Sequence, residues 1–140
     1  MLGMKELYAT IEGTNPIDGV KASVRAYVQS FHDRDIEARG ALFAEDATFT
    51  DPANGPVVTG LDGIMAFWRT LLKMPFKMEP EIHQIVVCGD SALLNFTMHI
   101  RGDQGIAHSL HVFDLFQFDP QGRIRSLTAY WDLGCVDQVV

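Results

Sequence analysis

The sequence predicts an α+β fold in which helices cover one face of a curved sheet of long antiparallel strands. Three observations carry that expectation. Apolar residues recur at helical spacing from Ile17 to Phe31. Residues 91–101 alternate cleanly, with Ala92, Leu94, Phe96, Met98 and Ile100 on one side. Gly102-Asp103-Gln104-Gly105 and Asp119-Pro120-Gln121-Gly122 read as hairpin turns between successive strands. A strongly curved sheet closed off by helices makes a cone with an apolar pocket inside.

Length and composition set the bounds. The 140 residues suit one domain, 1–140, with residues 1–14 as an N-terminal extension. A chain of this size buries enough surface to need no staple. The net charge of −7 argues against nucleic acid and anionic membrane as partners, since both select basic patches. No apolar run approaches a membrane span, and the N-terminus shows no signal-like apolar stretch. Cys88 and Cys135 lack CxxC spacing, so free thiols and a cytoplasmic location are expected.

Taken in order, Lys5 to Ile11 permits a short helix ended by Gly13. The next helix starts at Asn15-Pro16, with Asn15 as N-cap and Pro16 at the first helical position. Ile17, Val20, Val24, Tyr27, Val28 and Phe31 form its apolar stripe. Tyr27 therefore points at the core, where its hydroxyl must find a partner or open onto a cavity. Asp33-Arg34-Asp35 breaks the helix, and a second helix runs from Ile36 to Phe43. Ala47 to Asp51 is a strand with Ala47, Phe49 and Asp51 on one face, ended by Pro52 and the turn 53–56. Asp51 is a carboxylate at a strand end, a place that also suits a turn-initiating Asx. Thr59 to Asp62 is a capping-box variant opening a third helix, Leu61 to Leu72. Met78 to Cys88 contains a strand interrupted near Pro80, and the last strand runs from Arg123 to Trp131.

The strand from about Ile106 to Phe118 holds the most informative residue. Alternation puts Asp114 on the same face as Val112, Phe116 and Phe118. Aspartate is ordinarily a surface residue and a poor strand former. Either Asp114 points outward at an edge, or it is buried. Burial without a cation disfavours the carboxylate and leaves a neutral acid that donates a hydrogen bond.

Several motifs together resemble the ketosteroid isomerases, within the larger NTF2-like (SnoaL-like) group. They are Ala26-Tyr27, Asp35-Ile36-Glu37-Ala38, Leu42 to Thr48 leading into Asp51-Pro52, and Ala66-Phe67-Trp68-Arg69. Phe113 to Asp119, Gly122-Arg123-Ile124 and Ala129-Tyr130-Trp131 complete the set. The separations from Tyr27 to Asp51 and from Asp51 to Asp114 also resemble the family's.

The resemblance implies an NTF2-like cone and a cofactor-independent shift of a β,γ double bond into conjugation with a ketone. It implies Asp51 as general base, with Tyr27 and Asp114 as donors to the enolate oxygen; such a protonated aspartate is the general worked case for this family. It points to an apolar ketone or steroid-like substrate held by Trp68, Leu94, Phe96, Met98, Leu110, Val112, Phe116, Leu127 and Trp131. Phe43 and Trp68 stand where some members carry tyrosines that support the catalytic tyrosine, so the substrate or the reaction is open to change. A cyclase, dehydratase or epoxide hydrolase on an apolar substrate is the alternative reaction, and a non-catalytic small-molecule-binding or assembly module the alternative role. The N-terminal extension has no counterpart in the family and is expected near the pocket mouth. The histidines of the strands show no metal-ligand pattern, so neither metal nor cofactor is expected. Leu93, Phe113 and Leu115 fall on the outer sheet face and suggest a homodimer.

Overall fold

The computed structural model describes residues 3–9, 11 and 13–138. A short helix α1 (Met4–Tyr8) precedes α2 (Ile17–His32), α3 (Ile36–Gly40) and β1 (Phe43–Thr50). Then come β2 (Val57–Thr59), α4 (Leu61–Leu72), β3 (Lys77–Cys88) and β4 (Ser91–Gly102). The chain closes with β5 (Gly105–Phe118), β6 (Ile124–Tyr130), a 3-10 turn (Leu133–Cys135) and β7 (Val136–Gln138). The strands form one mixed sheet in the order β2-β1-β6-β5-β4-β3, with β7 added against β5. Only the β1–β6 pair is parallel. The expected α+β class and curved sheet are therefore observed.

The register of β5 settles the side on which Asp114 lies. Val112, Asp114, Phe116 and Phe118 are all buried, while Phe113 is 47% exposed. Asp114 pairs with Leu94 on one side and Ala129 on the other. The inner face of β4–β6 packs on Val20, Val24, Tyr27 and Val28 of α2 and on Ile64 and Trp68 of α4. Burying a side chain of this kind contributes roughly 1.5–3 kcal/mol, and this common core fixes the position of α2 on the sheet.

Local capping differs from the expectation at two helices. Pro16, not Asn15, occupies the N-cap of α2. Asn15 is drawn away because its backbone N–H donates to Asp90 Oδ1 at 2.8 Å and its side-chain amide donates to the Asp119 carbonyl at 2.9 Å. It ties the start of α2 to the β3–β4 and β5–β6 turns. Thr59 does not cap α4, since it ends β2 opposite Thr48. Gly60 takes the cap with φ of 92°, a backbone that glycine adopts without strain.

Two boundaries also move. The helix expected to reach Phe43 stops at Gly40, and Phe43 starts β1 opposite Ile124. Gly40 lies so close to the Met65 thioether, 2.8 Å from where a Cβ would sit, that any side chain there would make Met65 shift. Pro80 does not interrupt β3: it pairs with Met98, and the irregularity falls between Ile82 and Gln84. β2 and β7 carry too few residues to show alternation, and both escaped the sequence reading.

The outer sheet face is mixed. His83 and His111 both meet the Thr97 hydroxyl, at 2.6 Å and 3.1 Å, and His99 meets Ser109 and Glu81. Further along, Leu93, Phe113 and Tyr130 remain well exposed, and Leu115 is half-buried. Among the described residues no helix is long and apolar enough to cross a membrane. Cys88 and Cys135 are unpaired.

Candidate active site

The space between α2, α4 and the inner sheet face is a cavity of about 110 Å³, lined mainly by apolar side chains. Tyr27, Asp51 and Asp114 all line it. Three separate elements deliver them: the apolar stripe of α2, the end of β1 and the middle of β5.

Tyr27 and Asp114 lie deep, at 5% and 3% exposure. Among the described residues neither the Tyr27 hydroxyl nor the Asp114 carboxyl has a hydrogen-bond partner. Native interiors rarely leave such groups unmatched, because each carries a desolvation cost of roughly 1–3 kcal/mol. Tyr27 is held by its ring instead. It meets Phe31 and Phe116 edge-on, with centroids 5.2 Å and 5.3 Å away. Opposite Asp114, Ala129 is small and leaves room over the carboxyl.

Electrostatics favour the protonated form of both deep groups. Burial pushes the Asp114 carboxyl well above the usual range, and the nearby charge of Asp51 adds to this. Burial also pushes the Tyr27 hydroxyl well up, helped by Asp114. Two neutral O–H groups with no acceptor in the protein can donate to a ligand oxygen.

Asp51 is different. It stands at the cavity rim with part of its surface open to solvent. Its carboxylate is nevertheless crowded, and burial raises its pKa; a hydrogen bond from Trp131 opposes the rise. The Trp131 indole N–H donates to Asp51 Oδ1 at 2.6 Å. The sequence reading named Trp131 only as an apolar wall, so its polar contact is new. It follows from Trp131 directly succeeding β6, which runs parallel to β1 and reaches the same end of the sheet as Asp51.

Of the expected wall residues, Trp68, Phe96, Met98, Leu110, Val112 and Trp131 do line the cavity. Leu94, Phe116 and Leu127 do not; each is at most 1% exposed and lies in the packed core. They share the inner face, and Leu94 even pairs with Asp114 and Leu127 with Phe49, but neighbouring side chains of the core cover them. The reading missed Phe31, Phe49, Leu71 and Ile100, which extend the wall. Each was within reach: Phe31 lies one helical turn beyond Tyr27, and Ile100 continues the alternation of Met98.

Phe43 and Trp68 are buried at 2% and 1%. Neither supports the Tyr27 hydroxyl, and the Trp68 indole N–H has no partner. None of the described residues of the N-terminal extension lines the cavity. The Tyr8 hydroxyl donates to the Val87 carbonyl at 2.9 Å, near the β3–β4 turn. The cavity lies toward the other end of that hairpin, where Met78 and Ile100 line it.

Comparison with known proteins agrees with this geometry. The SnoaL-like domain family matches residues 24–127. A steroid Delta-isomerase of Nocardioides simplex is 31% identical over 122 residues, covering 86% of this chain and 94% of the relative.

The chain belongs to the SnoaL-like, ketosteroid isomerase-like family.

Solved structures show how widely this SnoaL-like fold is used. The epoxide hydrolase/cyclase-like enzyme SalBIII, described for pyran ring formation in the polyether salinomycin, superposes with a TM-score of 0.78 at 18% identity. That alignment covers 87% of this chain and 97% of SalBIII. A Mycobacterium tuberculosis protein solved with estradiol-17β-hemisuccinate gives 0.75 at 17% identity, over 85% of this chain and 98% of the other. An epoxide hydrolase of the same organism gives 0.73 at 19%, over 84% and 86% of the two chains. At these identities the SnoaL-like fold is shared, and the residues must argue the chemistry.

Proposed function

We propose that this protein is a cofactor-independent isomerase that moves a β,γ double bond into conjugation with a ketone. The observation that carries the reading is the pair of unpartnered donors, Tyr27 and Asp114, in one apolar cavity with Asp51. In the proposed reaction Asp51 removes a proton from the carbon between the ketone and the double bond. The carbonyl oxygen becomes a dienolate oxygen and accepts from Tyr27 and neutral Asp114. Asp51 then returns the proton to the far carbon of the dienolate. A carboxylate is a weak base, and it suffices when two donors stabilise the charge that its action creates.

The aromatic and aliphatic walls suit a flat apolar ketone of steroid-like character. The steroid Delta-isomerase relative supports this substrate class. The epoxide hydrolase and cyclase-like neighbours keep a second reaction in view, and the missing support for Tyr27 favours it. The two readings separate in one assay. Incubation with a β,γ-unsaturated 3-ketosteroid, without added metal or cofactor, is expected to produce the absorbance of the conjugated enone. No absorbance change, together with water addition to an apolar epoxide, would replace the first reading by the second.

Trp131 gives a further check on Asp51. Its N–H lowers the Asp51 pKa, so Trp131→Phe is expected to raise it. The base must be ionised to act, so the acid limb of the kcat/KM profile should move to higher pH in this variant. An unmoved limb would mean that Asp51 is not the titrating base.

The homodimer is carried as part of this proposal, through the exposed Leu93, Phe113 and Tyr130 of the outer face. Sedimentation of Phe113→Glu is expected to show a lighter species than the parent.

A further inference from the structure

Arg39 is a buried charge that the proposed reaction does not use. It is 3% exposed and projects from α3 beneath the cavity. Among the described residues no carboxylate lies within ion-pair distance of it. Its guanidinium carbon sits 3.6 Å from the centre of the Phe31 ring and 4.9 Å from that of Trp68. Its Nε donates to Ser30 Oγ at 2.8 Å, and Ser30 Oγ donates to the Tyr27 carbonyl at 2.5 Å.

A buried cation without a counter-ion is costly, and such groups ordinarily pair or lose their charge. Arginine does not lose it: burial lowers its pKa, and a guanidinium stays protonated at any working pH. The charge must therefore be met by something else. Phe31 and Trp68 meet part of it through their ring faces. Both rings also line the cavity, whereas Arg39 lines only a narrow side chamber behind them. Phe31 and Trp68, with Leu71 and Met78, line both the side chamber and the cavity, and the charge of Arg39 is felt at Tyr27.

We propose that Arg39 is a positioning residue of the oxyanion hole, a fixed cation whose field favours negative charge on an oxygen held by Tyr27 and Asp114. This rests on the isomerase reading of the hole. Arg39 touches no reacting atom and acts across the rings, in a dry region where charges interact more strongly than in water. It supplies from below what the tyrosines absent at Phe43 and Trp68 do not supply from the side. The field of Arg39 lowers the Tyr27 pKa against the larger effects of burial and Asp114. The other charges facing the pair are Asp51 at the rim, Asp35 at the N-cap of α3 and Arg34 in the side chamber.

The test uses 2-naphthol, whose neutral and ionised forms absorb at different wavelengths, and naphthalene as a ligand without the oxygen. In Arg39→Met and Arg39→Gln the ionisation equilibrium of bound naphthol is expected to shift about tenfold toward the neutral phenol, the effect of one charge several ångströms away at an intermediate dielectric. Arg39→Lys should restore most of the ionised fraction, and naphthalene should bind all four proteins alike. An ionised fraction unchanged in whichever of the two neutral variants folds would make Arg39 a structural residue only. Naphthol affinity unchanged in Tyr27→Phe would instead remove the hole itself, and with it the reading on which Arg39's role depends.

Discussion

Asp51→Asn is expected to lose about 10²–10⁴ in kcat on a β,γ-unsaturated 3-ketosteroid, the usual worth of a positioned general base. The substitution keeps size and can still accept from Trp131, so the 2.6 Å contact that orients the side chain need not be lost. What it removes is basicity. Substrate affinity should therefore hold while turnover collapses, since the neutral amide repels no apolar ligand. Affinity for a flat phenol should also hold or rise, because the negative charge at the rim disfavours a second negative charge in the hole. A variant retaining parental turnover would place the base elsewhere; among the described residues the other carboxyl of the cavity is Asp114, whose protonated form burial favours.

Much of this arrangement was legible from alternation. β4 and β5 are long, and their inner faces read correctly, so Asp114 fell on the buried side. The α2 stripe placed Tyr27 toward the same interior. Alternation tells faces apart but not which side chains of a face the helices cover. Leu94 and Leu127 pair with the lining residues Asp114 and Phe49, and with Phe116 they share the inner face, yet all three are packed in the core. The Trp131–Asp51 bond was hidden for a related reason: it joins the ends of parallel strands 80 residues apart. Caps misread where a tertiary partner outbid the local one, as Asp90 and Asp119 did for Asn15. Arg39 was invisible because an arginine on a short, polar helix ordinarily reads as solvated.

Asp114 is expected to separate hydrogen bonding from packing when changed in two ways. Asp114→Asn keeps a donor of similar shape. Asp114→Leu fills the space and removes the donor. The Leu variant should lose about 10²–10³ in kcat, the range for one oxyanion donor, and the Asn variant much less. A polycyclic phenol titrated calorimetrically should follow the same order, with roughly 1–3 kcal/mol lost in the Leu variant. Stability should move the opposite way. The folded-state pKa of Asp114 lies above its unfolded value, so between the two values the folded chain holds more protons than the unfolded one. Any stability this group contributes is fully present below the unfolded pKa and is lost as pH rises through the folded one. Both variants should lack that dependence, and at alkaline pH both should melt above the parent. A residue kept only for packing would behave otherwise: Asp114→Leu would turn over substrate and bind the phenol as well as the parent. Gain of stability with loss of turnover and of phenol binding is the signature of a buried acid retained for its proton.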